Sequence, residues 1–104
     1  MTYRKLLNMM KKMKDNDGAT FKNGEPITYK SGWQVATDGV EAVSAQETAK
    51  IVSELGTCGV WLSKGIYYID VSKRVNTKRE AIEIGRKNNQ QSVYGWARNN
   101  LAWC

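Results

Sequence analysis

Three helix signals, each followed by a hairpin signal, constrain the fold of this 104-residue chain most strongly. Thr2 stands before apolar residues that recur at three- and four-residue spacing, the pattern of a capped helix with one buried face. Ser44 forms a capping box with Glu47, three residues further on. Thr77 forms a second capping box with Glu80. We therefore expect three helices, beginning next to residues 2, 44 and 77.

Each predicted helix is followed by two β-prone runs that flank a turn. In the first pair the runs are residues 19–22 and 25–30, and the strand continues over residues 33–36 after a bend. Asn23 and Gly24 give the clearest hairpin signal, because both turn residues need positive φ. Residues 63–65 and 98–100 separate the second and third pairs of runs. Pro26 cannot donate a hydrogen bond to a ladder, so we expect it at a strand start or on an edge. The order αββ, three times over, predicts an α+β fold with helices packed on a mainly antiparallel sheet.

Length and composition indicate one folded domain, residues 1–104. Apolar residues make up 41% and charged residues 25%, as is typical of soluble folded chains. The most apolar stretch, residues 66–71, contains Asp70 and is much shorter than the roughly 18 residues of a membrane span. Lys11 and Lys12 stand where a signal peptide needs an apolar region. We expect a cytoplasmic protein without membrane contact.

The residue types present argue against an enzyme. The chain has no histidine, which removes the usual general base near neutral pH and the commonest zinc ligand. Cys58 and Cys104 lie far apart in the sequence, so they form no close pair for metal binding or thiol exchange. Glu80 and Glu83 stand one helical turn apart, but a cap and a solvated surface explain them. We expect no catalysis, no cofactor and no metal.

Positive charge is concentrated toward the end of the chain, where residues 73–104 hold seven Lys or Arg against two Asp or Glu. These cations bracket the third helix, and the aromatic residues nearby are of the types that stack on bases or anchor protein interfaces. Alternation along a strand sends Tyr67 and Tyr68 to opposite faces, so we expect one of them to be exposed. The predicted binding residues are Lys73, Arg74, Lys78, Arg79, Arg86, Lys87, Tyr67, Tyr94 and Trp96.

Four short runs are rich in aromatic and turn residues. They are Lys-Ser-Gly-Trp-Gln-Val at 30–35, Gly-Val-Trp at 59–61, Gly-Ile-Tyr-Tyr-Ile-Asp-Val-Ser at 65–72 and Asn-Asn-Gln-Gln-Ser-Val-Tyr-Gly-Trp at 88–96. Through these runs, residues 18–104 resemble small accessory proteins of phages and mobile elements in Gram-positive bacteria. The resemblance implies a non-enzymatic protein that binds a partner, and it includes inhibitors of host defence such as anti-CRISPR proteins. Many such inhibitors are acidic, whereas this chain has net charge +6.

Two hypotheses about function follow from these observations. The first is that the chain binds a host or phage protein, within a complex that handles nucleic acid. The second is that it binds DNA or RNA directly through the basic last third, because Lys and Arg neutralise phosphates. A salt series separates the two, since binding to phosphates weakens steeply as the salt concentration rises.

Overall fold

The computed structural model describes all 104 residues, and it contains three α-helices and seven β-strands. The helices are α1 (Tyr3–Lys12), α2 (Ala45–Glu54) and α3 (Lys78–Lys87). The strands are β1 (Gly18–Lys22), β2 (Glu25–Pro26), β3 (Trp33–Ala42), β4 (Thr57–Ser63), β5 (Ile66–Val75), β6 (Ser92–Gly95) and β7 (Asn100–Trp103). They form one antiparallel sheet in the order β2-β1-β4-β5-β3-β6-β7. The predicted α+β fold is confirmed.

The three helices begin where the sequence predicted. The hydroxyl oxygen of Ser44 accepts a hydrogen bond from the backbone N–H of Glu47 at 3.1 Å. Thr77 accepts from the backbone N–H of Glu80 at 3.2 Å, and its hydroxyl donates to the Glu80 carboxylate at 3.0 Å. Thr2 caps α1 in the same way. Each cap satisfies a backbone donor that has no partner inside the helix. None of the three ten-residue helices is long and apolar enough to cross a membrane.

The strands differ from the predicted pattern between residues 25 and 42. Asn23 and Gly24 have φ of 51° and 77°, as the predicted hairpin turn requires. The second strand of that hairpin ends at Pro26, which cannot donate to the ladder, and the predicted continuation to residue 30 is wrong. The next strand, predicted only over residues 33–36, runs over Trp33–Ala42 instead. The three αββ patterns account for six strands, and β3 is the seventh.

The backbone contacts of the chain divide it into two compact units. The first unit comprises residues 1–27 and 39–71, and the second unit comprises residues 28–38 and 72–104. Three αββ patterns in the sequence therefore correspond to two units in space. That residues 1–104 fold as one domain stays a prediction.

The core of the first unit is built from large apolar side chains between two helices and the sheet. Leu6 and Met10 of α1 and Val52 of α2 are fully buried together with Phe21 of β1 and Ile69 of β5. Complete burial of such a side chain contributes roughly 1.5–3 kcal/mol. This core packs α1 and α2 against the strands.

Cys58 lies inside this first core and is completely buried. Burial, with a smaller contribution from the Asp70 carboxylate, raises the pKa of the Cys58 thiol to about 11. The thiol therefore stays protonated near neutral pH, and protonated thiols are poor nucleophiles.

The core of the second unit is smaller and is covered by one helix. Its buried residues are Val35, Val75, Ala81, Val93 and Ala102. Ala81 and Gly85 are the buried residues of α3, so this helix approaches the strands through its two smallest side chains. The helix therefore defines a covered face and an opposite face of the strands in this unit.

Candidate functional site

The pairing of β6 with β7 places an aromatic surface on the face of the second unit that α3 does not cover. Val93 and Ala102 are partners across the two strands and are buried in the core under α3. Their neighbours Tyr94 and Leu101 are also partners, and they point the other way because side chains alternate along a strand. Trp103, two residues beyond Leu101, points in the same direction as Leu101.

We call this surface the aromatic face and define it by Tyr29, Arg74, Tyr94, Trp96, Leu101 and Trp103. Trp103 is 71% exposed and Leu101 is 56% exposed. Monomeric proteins rarely group large exposed apolar side chains unless the group contacts a partner. The aromatic face is therefore the strongest candidate for a binding surface in the second unit.

Trp96 is the centre of a rigid ring cluster on the aromatic face. Its ring meets Tyr94 edge to face, with centroids 5.0 Å apart and an interplanar angle of 87°. Tyr29 approaches the same ring at 5.5 Å and 69°. Edge-to-face pairs of this kind add about 0.5–1.5 kcal/mol beyond the area they bury. The rings are therefore held in place before any partner arrives.

Hydrogen bonds fix the polar edges of these rings. The indole N–H of Trp96 donates to the Gln34 side-chain oxygen at 3.1 Å, and the Gln34 amide donates to the Ser72 hydroxyl at 2.7 Å. The Tyr94 hydroxyl donates to the Asn99 side-chain oxygen at 2.6 Å. A partner therefore meets ring surfaces whose polar atoms already have internal hydrogen bonds.

Arg74 brings a positive charge to the aromatic face without a carboxylate partner. Its Nε donates to the Ser31 carbonyl at 3.0 Å, and its two terminal nitrogens reach the Ser31 hydroxyl at 3.4 Å and Asn76 at 3.3 Å. The guanidinium carbon lies 5.2 Å from the centroid of the Tyr29 ring, within range of a cation–π contact. All of these contacts are to uncharged groups, so the charge of Arg74 is oriented but not neutralised.

Gly32 gives the Arg74 guanidinium room to lie against the backbone. A Cβ at this position would stand 2.7 Å from the guanidinium carbon, closer than carbon atoms normally approach. Gly32 also has φ of 89°, a conformation that residues with a side chain rarely adopt. The local backbone is therefore suited to the observed position of Arg74.

The two units differ in charge. The second unit holds eight Lys or Arg against three Asp or Glu, a net charge of +5. The first unit holds eight against seven, a net charge of +1. Almost all of the net charge of +6 therefore belongs to the unit that carries the aromatic face.

The structure brings together three of the nine predicted binding residues. Arg74, Tyr94 and Trp96 all belong to the aromatic face, where Tyr29 contacts both Arg74 and Trp96. The sequence placed all three among the binding residues without showing that they share one surface.

Five predicted cations lie away from the aromatic face. Lys78, Arg79, Arg86 and Lys87 belong to α3, which packs on the opposite side of the strands, and Arg79 pairs with Glu83 at 3.5 Å. Lys73 is exposed, but it precedes Arg74 on β5 and therefore points to the other side. The predicted basic surface and the predicted aromatic residues are thus separated by the sheet.

Tyr67, the ninth predicted binding residue, lies in a core and not on an open surface. Tyr67 is buried in the core of the first unit, and its hydroxyl donates to the Met10 carbonyl at 2.9 Å. Tyr68 is the more exposed of the two neighbours, and its ring lies 5.6 Å from that of Trp61. The two side chains point to opposite faces of β5, as alternation predicts, but Tyr68 is half-buried, so the expectation that one of the two is exposed is wrong.

Three residues of the aromatic face were missed at the level of sequence. Leu101 and Trp103 follow from the alternation of the last hairpin, once Tyr94 is known to point away from the core. Tyr29 lies outside any strand, and only its ring contacts identify it.

Comparison with protein-family models, curated proteins and solved structures finds no significant match to this chain.

Proposed function

We propose that this chain is a non-enzymatic nucleic-acid-binding protein that uses the aromatic face of its second unit. One observation carries the proposal: Arg74 and the rings of Tyr94 and Trp103 share one open sheet face, in a unit of net charge +5. Aromatic rings stack on nucleobases, and a positive surface attracts the phosphate backbone.

The cations of α3 have a different role in this proposal. They lie behind the sheet, so they act through the field of the whole unit and not through contact with a strand bound on the aromatic face. A field of this kind raises the rate of association more than it raises affinity. Arg74 is then the cation placed for direct contact with a phosphate.

A second candidate is a protein partner within a nucleic-acid-handling complex of a host or phage, and a separate observation favours it. Leu101 and Trp103 are exposed on β7, an edge strand without a charged residue. An unprotected edge can accept a strand from another protein, and tryptophan is common at interface hot spots. Nucleic acid stands first because the charge of the second unit favours a polyanion.

The proposal is tested by filter binding of the full chain to a labelled oligonucleotide over a salt series. We expect affinity to fall steeply with salt, and Arg74→Ala to reduce the log–log slope by about 1 if Arg74 contacts one phosphate. Arg86→Ala is the matched control, because it removes the same charge from α3. No binding at about 50 mM salt would overturn the proposal and leave the protein partner as the better candidate.

A further inference from the structure

We infer that the aromatic face takes single-stranded nucleic acid and not a duplex, with an unpaired base stacked on Trp103. This inference rests on the proposed function and adds to it the form of the nucleic acid, the stacking ring and the length of strand that the surface holds.

The aromatic face is wider than the grooves of a DNA duplex. The face extends over four neighbouring strands, β5, β3, β6 and β7. Adjacent strands lie about 4.8 Å apart, so the backbones alone span about 14 Å. The major groove of DNA is about 12 Å wide and the minor groove about 6 Å. The face as a whole therefore does not fit inside a groove, whereas an unpaired base can lie flat on one of its exposed rings.

Trp103 is the ring best placed to stack on a base. It is 71% exposed, and it forms none of the aromatic ring pairs in the structure. Trp96, in contrast, has Tyr29 on one side and Tyr94 on another. The ring cluster around Trp96 therefore serves as a rigid support, while Trp103 keeps a free ring surface.

The distance between Arg74 and Trp103 sets a minimum length for the bound strand. Arg74 lies on β5 and Trp103 on β7, which are three strand spacings apart. Three spacings correspond to about 14 Å. A stacked strand advances about 3.4 Å per nucleotide, so about four nucleotides are needed to reach both residues. This length falls within the range known for single-stranded binding surfaces of about 4–16 nucleotides.

The experiment measures fluorescence anisotropy of labelled oligonucleotides with the full chain at fixed salt. The probes are single-stranded DNA and single-stranded RNA of about 12 nucleotides, the corresponding DNA duplex, and a dinucleotide. We expect either single strand to bind at least about tenfold more tightly than the duplex, and the dinucleotide to bind weakly. A preference for single-stranded DNA or for single-stranded RNA shows which sugar the surface favours, and either preference supports the inference.

Two tryptophan variants make the test specific. Trp103→Ala should weaken binding of the single strand by about tenfold, because one base–aromatic stack contributes about 1–3 kcal/mol. Trp61→Ala is the comparison: Trp61 is 49% exposed on a strand of the first unit, and its loss should weaken binding less than the loss of Trp103. Circular dichroism verifies that both variants fold.

The outcomes separate this inference from the proposed function. Duplex binding at least as tight as single-strand binding, still weakened more by Arg74→Ala than by Arg86→Ala, would overturn the inference and leave the proposed function standing. Equal losses for Trp103→Ala and Trp61→Ala would also overturn the assignment of Trp103. If neither strand form binds at low salt, the proposed function itself fails.

Discussion

The two units of this chain hold similar numbers of aromatic residues, but only the first unit has aromatic residues that are buried. The first unit buries Phe21 and Tyr67 among Leu6, Met10 and Ile69, under two helices. The second unit has a core of valines and alanines under one helix, and it leaves the ring of Trp103 in solvent. Large side chains stabilise a fold when they are buried and bind partners when they are exposed. From this comparison we expect the first unit to supply most of the stability, and under the proposed function the second unit carries the binding surface.

The largest effect on stability is expected from a cavity in the first core. Phe21 is 1% exposed, and Phe21→Ala should lower the free energy of unfolding by about 3–5 kcal/mol. Val93→Ala, in the second core, removes fewer buried atoms and should cost about 2 kcal/mol. Urea unfolding followed by circular dichroism measures both values. A larger loss for Val93→Ala than for Phe21→Ala would mean that the second unit, and not the first, supplies most of the stability.

The second expected effect is a steric one in the core of the second unit. A Cβ on Gly85 would lie 2.5 Å from the sulfur of Cys104, so Gly85→Ala forces that side chain to move. Overpacking typically costs about 1–3 kcal/mol, and the better helix propensity of alanine offsets up to about 1 kcal/mol of it. Gly85→Ala should therefore lower the melting temperature, and adding Cys104→Ala should restore most of the loss. A gain in stability from the single change would mean that Cys104 is loosely held.

A third prediction compares the helix caps of the two units. Ser44 and Thr77 make equivalent hydrogen bonds at the start of α2 and α3. Ser44→Ala and Thr77→Ala should each lower the free energy of unfolding by about 1 kcal/mol. Chemical unfolding of both variants checks this. A loss at Ser44 with no change at Thr77 would show that unfolding of the whole chain is insensitive to α3.

The smallest effect concerns the pH dependence of the first unit. Burial raises the pKa of the Asp70 carboxyl above its ordinary value. The folded state then binds this proton more tightly than the unfolded state. Protonated Asp70 therefore adds to the free energy of unfolding at low pH, and this contribution is lost as the pH rises through the raised pKa. Asp70→Asn should therefore flatten this part of the pH profile and stabilise the protein slightly near neutral pH. Glu54→Gln, at the exposed end of α2, is the control for loss of one negative charge.

The elements that the sequence predicted well are those with local causes. A capping box needs only residues three positions apart, and the turn at Asn23 and Gly24 needs only their own φ angles. The full length of β3 could not be predicted in this way, because its partners β5 and β6 are distant in the chain. Pairing between distant strands depends on packing that no short window of sequence contains.

The candidate surface was predicted only in part, for a related reason. Alternation established that Tyr67 and Tyr68 point apart, but Ile66 and Ile69 make both faces of that strand apolar, so the pattern did not identify the core side. Arg74 and Arg86 are equally basic in sequence. They differ in position: Arg86 belongs to α3, on the covered side of the strands, and Arg74 lies on the uncovered side. The burial of Ala81 and Gly85 determines which side α3 covers.

The division of the chain into interleaved segments has a consequence for synthesis on the ribosome. All residues of the first unit have been made once residue 71 is added, whereas the second unit also needs residues 72–104. Residues 28–38, including Trp33 and Val35, must wait for residues 72–104 before their own core can form. The nascent chain therefore passes through a stage in which an apolar strand segment has no partners, and premature termination near residue 71 would leave that segment open to aggregation.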